Sequence, residues 1–179
     1  MNDLKLIMQA LSFAAHKHRD QRRKDVDASP YINHPISLAN ILTNEGGITD
    51  VEVICAALLH DTIEDTDTTA EELETAFGAV IKIIVVEVSD DTSLPRIERK
   101  RLQIEHAAHA SDKAKLVKLA DKISNLRDVA VNPPESWTLA RRQEYFDWAK
   151  QVIDQVRGVH PVLEACFDEA YAHKPCETK

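Results

Sequence analysis

An all-α fold is predicted by three features of this chain. It carries only 4 glycines, and each stands where a helix would stop: Gly46-Gly47, Gly78 and Gly158. Apolar residues recur at helical spacing from the start, as Leu4, Ile7, Met8, Leu11 and Ala15. The β-branched run Val80 to Val88 would suit a buried strand, but no partner strand is apparent. Flanked by helical segments, it is expected to be a buried helix.

The remaining elements follow in order. Pro35 suits the first position of a second helix reaching about Glu45. Thr49-x-x-Glu52 reads as a capping box for a third helix, which carries Ile54, Ala57 and Leu58 toward His60. Thr69-x-x-Glu72 opens a fourth, closed by Phe77-Gly78. Pro95 starts a charged helix through about His106. Another spans about Ala114 to Val129, with Leu116, Leu119, Ile123 and Leu126 on its apolar side. Asn132-Pro133-Pro134 is a firm break. Two helices follow, Thr138 to about Val156 and Pro161 to Tyr171, and the tail 173–179 is expected to fray. No repeat, low-complexity tract or linker divides the chain, so 1–179 is expected to be one compact helical domain.

Composition narrows the function. With 179 residues the chain can bury roughly 70% of its unfolded surface in one core. A net charge of -8 argues against nucleic-acid and anionic-membrane binding. No apolar run reaches the ~20 residues of a membrane span. Cys55, Cys166 and Cys176 are odd in number and lack a CxxC, which points away from a disulfide framework or a cysteine-held zinc. Reduced thiols suggest the cytoplasm. Cys55 is expected in the core, and Trp137 and Trp148 are expected to pack.

The chemistry concentrates in His60-Asp61-Thr62-Ile63-Glu64-Asp65. An imidazole beside a carboxylate offers two ligands to a divalent metal, and Glu64-Asp65 one turn later offers acids for proton transfer. Alone, such a pair is more often a hydrogen-bonded polar patch, and the acids could simply cap the next helix. Two ligands do not fill a metal shell, and periodicity does not select the others. A basic run, Lys17, Arg19, Arg22, Arg23 and Lys24, stands out in an acidic chain.

The surrounding text decides between these readings. The order His34…His60-Asp61…Asp121 resembles the HD superfamily of metal-dependent phosphohydrolases. Arg23-Lys24, Pro30-Tyr31-Ile32-Asn33-His34-Pro35, Ala57 to Thr66 and Val117 to Arg127 resemble the hydrolase domain of RelA/SpoT proteins over about residues 10–150. With no room for a synthetase domain, the likeness is to the stand-alone small alarmone hydrolases, the metazoan SpoT homologue among them. The resemblance implies removal of pyrophosphate from the 3′ position of ppGpp or pppGpp, leaving GDP or GTP. It implies Mn²⁺ held by His34, His60, Asp61 and Asp121; Fe²⁺ and Zn²⁺ also suit such ligands. Glu64 and Asp65 match the catalytic acid pair. Arg23, Lys24, Asn125, Arg141 and Tyr145 match substrate-contacting positions. The Asp25–Ser29 loop is longer and more acidic than in many long RelA/SpoT proteins. The expected partner is a small nucleotide. Removal of the 2′-phosphate of NADPH is the alternative reaction, and a catalytically inactive binding module the third class.

Overall fold

Two buried helices set the architecture. In the computed structural model, which describes residues 2–176, α3 (Val51–Leu59) buries every residue from Val53 to Leu59. The longest helix, α8 (Asp112–Val131), is buried at ten positions, Leu119, Ala120, Ile123 and Leu126 completely. Such a core tolerates truncation poorly: Leu→Ala at a fully buried site costs about 2–5 kcal/mol. The other helices pack around this pair. Against α3 lie α1 (Asp3–Lys17), α2 (Asn33–Asn40) and α6 (Ala79–Val88). Against α8 lie α2, α6, α9 (Leu139–Asp154) and α10 (Pro161–Ala172). The short α4 (Thr62–Asp65) follows α3, α5 (Ala70–Phe77) packs on α6, and α7 (Arg96–Ala107) packs on α9. The fold is all-α: among the described residues the sole β-type pairing is an isolated bridge between Arg22 and Pro30.

Several element ends differ from their sequence signals. The cap of α3 is Asp50 rather than Thr49: its carboxylate accepts from the Glu52 N–H at 2.9 Å, and an ionised acceptor is the stronger one. Helix α2 begins at Asn33, so Pro35 lies inside the first turn, where its missing N–H is no loss. The same helix passes at Ile41 into a π-helical turn through Glu45. Gly46 closes it because a Cβ there would lie 2.8 Å from the Leu42 carbonyl oxygen and 2.9 Å from Leu163. Thr69 and Thr138 cap α5 and α9 as their sequences imply. Helix α6 is buried on one side only, through Ile81, Ile84 and Val85, while Val80, Ile83 and Val86 face outward. Its β-branched run therefore overstated its burial.

The chain beyond α10 is tied down where fraying was expected. Lys174 Nζ donates to Asp147 at 2.6 Å, and Gln143 donates to the Pro175 carbonyl at 2.9 Å. The remainder of that tail, 177–179, lies outside the described residues. Cys55 is in the core as expected, and all three cysteines are free thiols.

Candidate active site

Three helices converge on two buried histidines. His34 enters from the first turn of α2, His60 stands at the C-cap of α3, and Asp121 projects from the middle of α8. One ligand atom from each lies within 4.8 Å of the others. His34 Nε2 is 3.2 Å from Asp121 Oδ1, and His60 Nε2 is 4.0 Å from the same oxygen.

The opposite ring nitrogens are engaged. His60 Nδ1 donates to the Ala57 carbonyl at 2.9 Å, and His34 Nδ1 lies 3.3 Å from the Ser124 hydroxyl. Those contacts leave Nε2 of both rings turned inward, as metal-binding histidines are held; the Ala57 carbonyl can only accept from His60, whereas the Ser124 hydroxyl can donate to or accept from His34. His60 Nε2 is buried with no hydrogen-bond partner, although Asp61 Oδ2 is 2.8 Å away. A buried polar atom left unpaired beside two carboxylates fits a divalent cation. Burial alone would lower the His60 imidazole, but the charges of Asp61 and Asp121 outweigh it and hold it at about 9.

Asp61 stands beside the cluster rather than within it. Its Oδ2 lies 4.0 Å from His34 Nε2 and also accepts from the Tyr31 hydroxyl. The helix breaks here: α3 ends at Leu59, and the acid pair occupies α4 instead of continuing the same helix. The two acids meet different surroundings. Glu64 is half-buried, accepting from the Asp90 N–H at 3.1 Å and from Arg99 at 3.3 Å. Burial, then repulsion from Asp61, raises its carboxyl to about 7. Asp65 is exposed, and its carboxylate accepts from Gln21 at 2.7 Å.

Both acids and all four predicted metal ligands border one cavity of about 280 Å³. Arg23, Asn125 and Tyr145 border it too. Asn125 donates to Asp121 at 2.6 Å and accepts from Arg23 at 3.1 Å, so it links the ligand helix to the basic loop. Tyr145 sits between Trp137 and Trp148, at ring separations of 5.3 and 5.4 Å. Lys24 lines only an adjoining cavity, and Arg141 lies over Trp137 on a separate groove. The rest of the basic run is turned elsewhere. Lys17 bonds Asp67 and Glu72, Arg19 pairs with Asp20, and Arg22 donates to backbone carbonyls.

The same cavity carries a cationic set from α7 and α8 that was missed by the motif reading. It comprises Arg96, Arg99 and Lys100 of α7 with Lys118 and Lys122 of α8. Lys122 pairs with Asp121 at 2.9 Å and lies 4.5 Å over the Trp148 ring. Lys118 is 7% exposed, and burial lowers its ammonium to about 8. A signal was available. Lys118, Asp121, Lys122 and Asn125 fall at i, i+3, i+4 and i+7, one polar stripe on a helix otherwise in the core.

Residues 10–147 match the family model described as HD domain. The chain belongs to the HD domain family. It is 56% identical over 170 residues to guanosine-3′,5′-bis(diphosphate) 3′-pyrophosphohydrolase MESH1 of Xenopus tropicalis, covering 95% of each chain. Against the human protein of the same name it is 55% identical over 168 residues, covering 94% of each. Among solved structures it resembles a metazoan orthologue of SpoT, described as hydrolysing ppGpp, with a TM-score of 0.91 and 53% identity. That alignment covers 93% of this HD domain chain and 94% of the other.

Proposed function

We propose that this protein hydrolyses the 3′-diphosphate of ppGpp or pppGpp, releasing pyrophosphate and GDP or GTP. One observation carries the reading: a metal-ready His34–His60–Asp121 cluster, an acid pair and five cationic side chains of α7 and α8 border one cavity. Two diphosphates would need such counter-charge, and Arg and Lys supply it. The relatives' names point to the same substrate. The free thiols accord with a cytoplasmic protein.

His34, His60 and Asp121 would hold the divalent ion, Mn²⁺ in this reading, with Asp61 at their side. Such an ion supplies Lewis-acid polarisation of the phosphoryl group and activation of water at neutral pH. The surrounding residues divide the proton work. Asp65, exposed and accepting a hydrogen bond, takes the proton of the attacking water. Glu64, whose carboxyl is raised by burial in the metal-free protein, gives its proton to the ribose 3′-oxygen as the bond to phosphorus breaks. Lys118 and Lys122 hold phosphate oxygens, and Tyr145 with Trp137 walls the nucleotide.

The test is purified protein with Mn²⁺ against ppGpp, pppGpp, NADPH and dNTPs, with products identified. Pyrophosphate from the two alarmones is expected. Turnover of NADPH alone would make the protein a 2′-phosphatase. Binding of ppGpp without turnover of any substrate would make it a binding module.

A further inference from the structure

Asp65 has an exposed carboxylate, and such a group is ordinarily free to swing. Among the described residues a single side chain hydrogen-bonds it: Gln21 Nε2 lies 2.7 Å from Asp65 Oδ2. Gln21 is itself fixed. Its Oε1 lies 2.6 Å from His18 Nδ1, and His18, at the turn after α1, is 2% exposed. The Gln21 backbone is clamped as well, donating to the His18 carbonyl at 3.0 Å and accepting from the Tyr31 N–H at 3.1 Å.

Donor chemistry gives this chain one direction. A carboxylate only accepts, so the amide nitrogen must face Asp65, and the amide oxygen must then accept the His18 Nδ1 proton. The reverse orientation would set two acceptors 2.7 Å apart. The His18 ring also lies against Tyr31, at a centroid separation of 4.8 Å, and Tyr31 donates to Asp61. One buried imidazole thus braces both ends of α4. Neither His18 nor Gln21 borders the cavity of the metal ligands; Gln21 lines the adjoining one beside Glu64 and Asp65, and His18 acts at one remove.

We propose that Gln21, locked by His18, is a positioning residue that aims the Asp65 carboxylate for proton transfer. The proposal rests on the hydrolase reading above. It distinguishes the two acids: the half-buried Glu64 is held by Asp90 and Arg99, whereas Asp65 depends on a side chain from the segment that follows α1.

The test is a double-mutant cycle on the full Mn²⁺-loaded chain with ppGpp. Gln21→Met keeps the length and removes the donor. It should lower kcat about 10–100-fold while KM stays within about twofold, since misaiming a catalytic group affects the transition state more than binding. In an Asp65→Asn background the same change should cost nothing further, because the group it serves is already gone. Should Gln21→Met fail to fold, Gln21→Leu, which likewise offers no donor, takes its place. A readout independent of turnover is the Gln21 side-chain amide resonance in the metal-free protein. One amide proton should be shifted downfield and return toward ordinary values in Asp65→Ala, which has no acceptor.

Wild-type kcat in the Gln21 variant, a loss confined to KM, or effects that multiply in the double mutant would overturn the proposal. A wild-type protein that releases no pyrophosphate would overturn the hydrolase reading first and this proposal with it. The amide resonance would still show whether the hydrogen bond forms.

Discussion

The chain has two basic regions, and they behave in opposite ways. The run from Lys17 to Lys24 is conspicuous in sequence, yet only Arg23 of its five cations borders the catalytic cavity. Lys118 and Lys122 lie among the buried positions of α8, and both border it. The difference lies in solvation. A cation near the surface is satisfied by water or a nearby acid, as Lys17 at the end of α1 is by Asp67 and Glu72. An ammonium carried into the core needs a counter-charge there: Lys122 has Asp121, and Lys118 has no ion pair within 4 Å among the described residues. Under the proposed function, that unmatched ammonium is expected to meet a phosphate.

The largest effect should come from the metal ligands. His60→Ala and Asp121→Ala are expected to abolish turnover and lose the bound ion by elemental analysis, while circular dichroism keeps the helical signal. Either variant retaining both metal and full activity would remove that residue from the ligand set. Next comes Glu64→Gln, which should keep the metal and lower kcat about 10²–10⁴-fold.

Glu64 also carries a signature in stability. Its carboxyl is raised from 4.5 to about 7 by burial and by Asp61. In the metal-free protein the protonated form therefore stabilises the fold fully below pH 4.5, and that contribution is lost as pH rises through about 7. Glu64→Gln cannot lose it. The variant should gain on the wild type by about 1–2 kcal/mol between pH 5 and 8, read by chemical denaturation. A constant difference across that range would mean that Glu64 is not held protonated.

Lys118→Met sharpens the contrast between the basic regions. It should raise KM for ppGpp about tenfold or more, and at pH 7 it should leave the unliganded fold as stable or more so. Burial lowers this ammonium from 10.5 to about 8, so wild-type stability should rise between those pH values, where the unfolded chain binds more protons. The variant should lack that rise. Loss of stability with an unchanged KM would make Lys118 structural. The smallest effects are expected at the exposed run. Arg23→Ala should raise KM several-fold more than it lowers kcat, and Lys24→Ala should change either by less than about twofold. A phosphate contact at Arg23 would penalise ppGpp and NADPH alike; a guanine stack would penalise ppGpp more.

Much of the fold was legible because its signals are local. Gly78, with φ of 89°, and the caps at Thr69 and Thr138 stand where the helices turn. What failed was also local, but subtle. Thr49 and Asp50 both offer a capping oxygen one residue apart, and only the fold shows that Asp50 makes the bond. In α6, eight β-branched or apolar positions out of ten hid which side faces water, because a stripe with so little polar contrast carries no direction. At the site, His34 and Asp121 were found by resemblance, since three-dimensional convergence of α2, α3 and α8 has no one-dimensional signature. Lys118 and Lys122 had one in their spacing to Asp121. The Gln21–Asp65 hydrogen bond, joining residues 44 apart, had none.

The most direct measurement is hydrolysis of ppGpp in ¹⁸O-water by the Mn²⁺-loaded protein, followed by mass spectrometry of both products. Attack of water on the phosphorus attached to the 3′-oxygen breaks that P–O bond, so one solvent oxygen should enter pyrophosphate and none should enter GDP. Label in the nucleotide, or inorganic phosphate in place of pyrophosphate, would contradict the assignment.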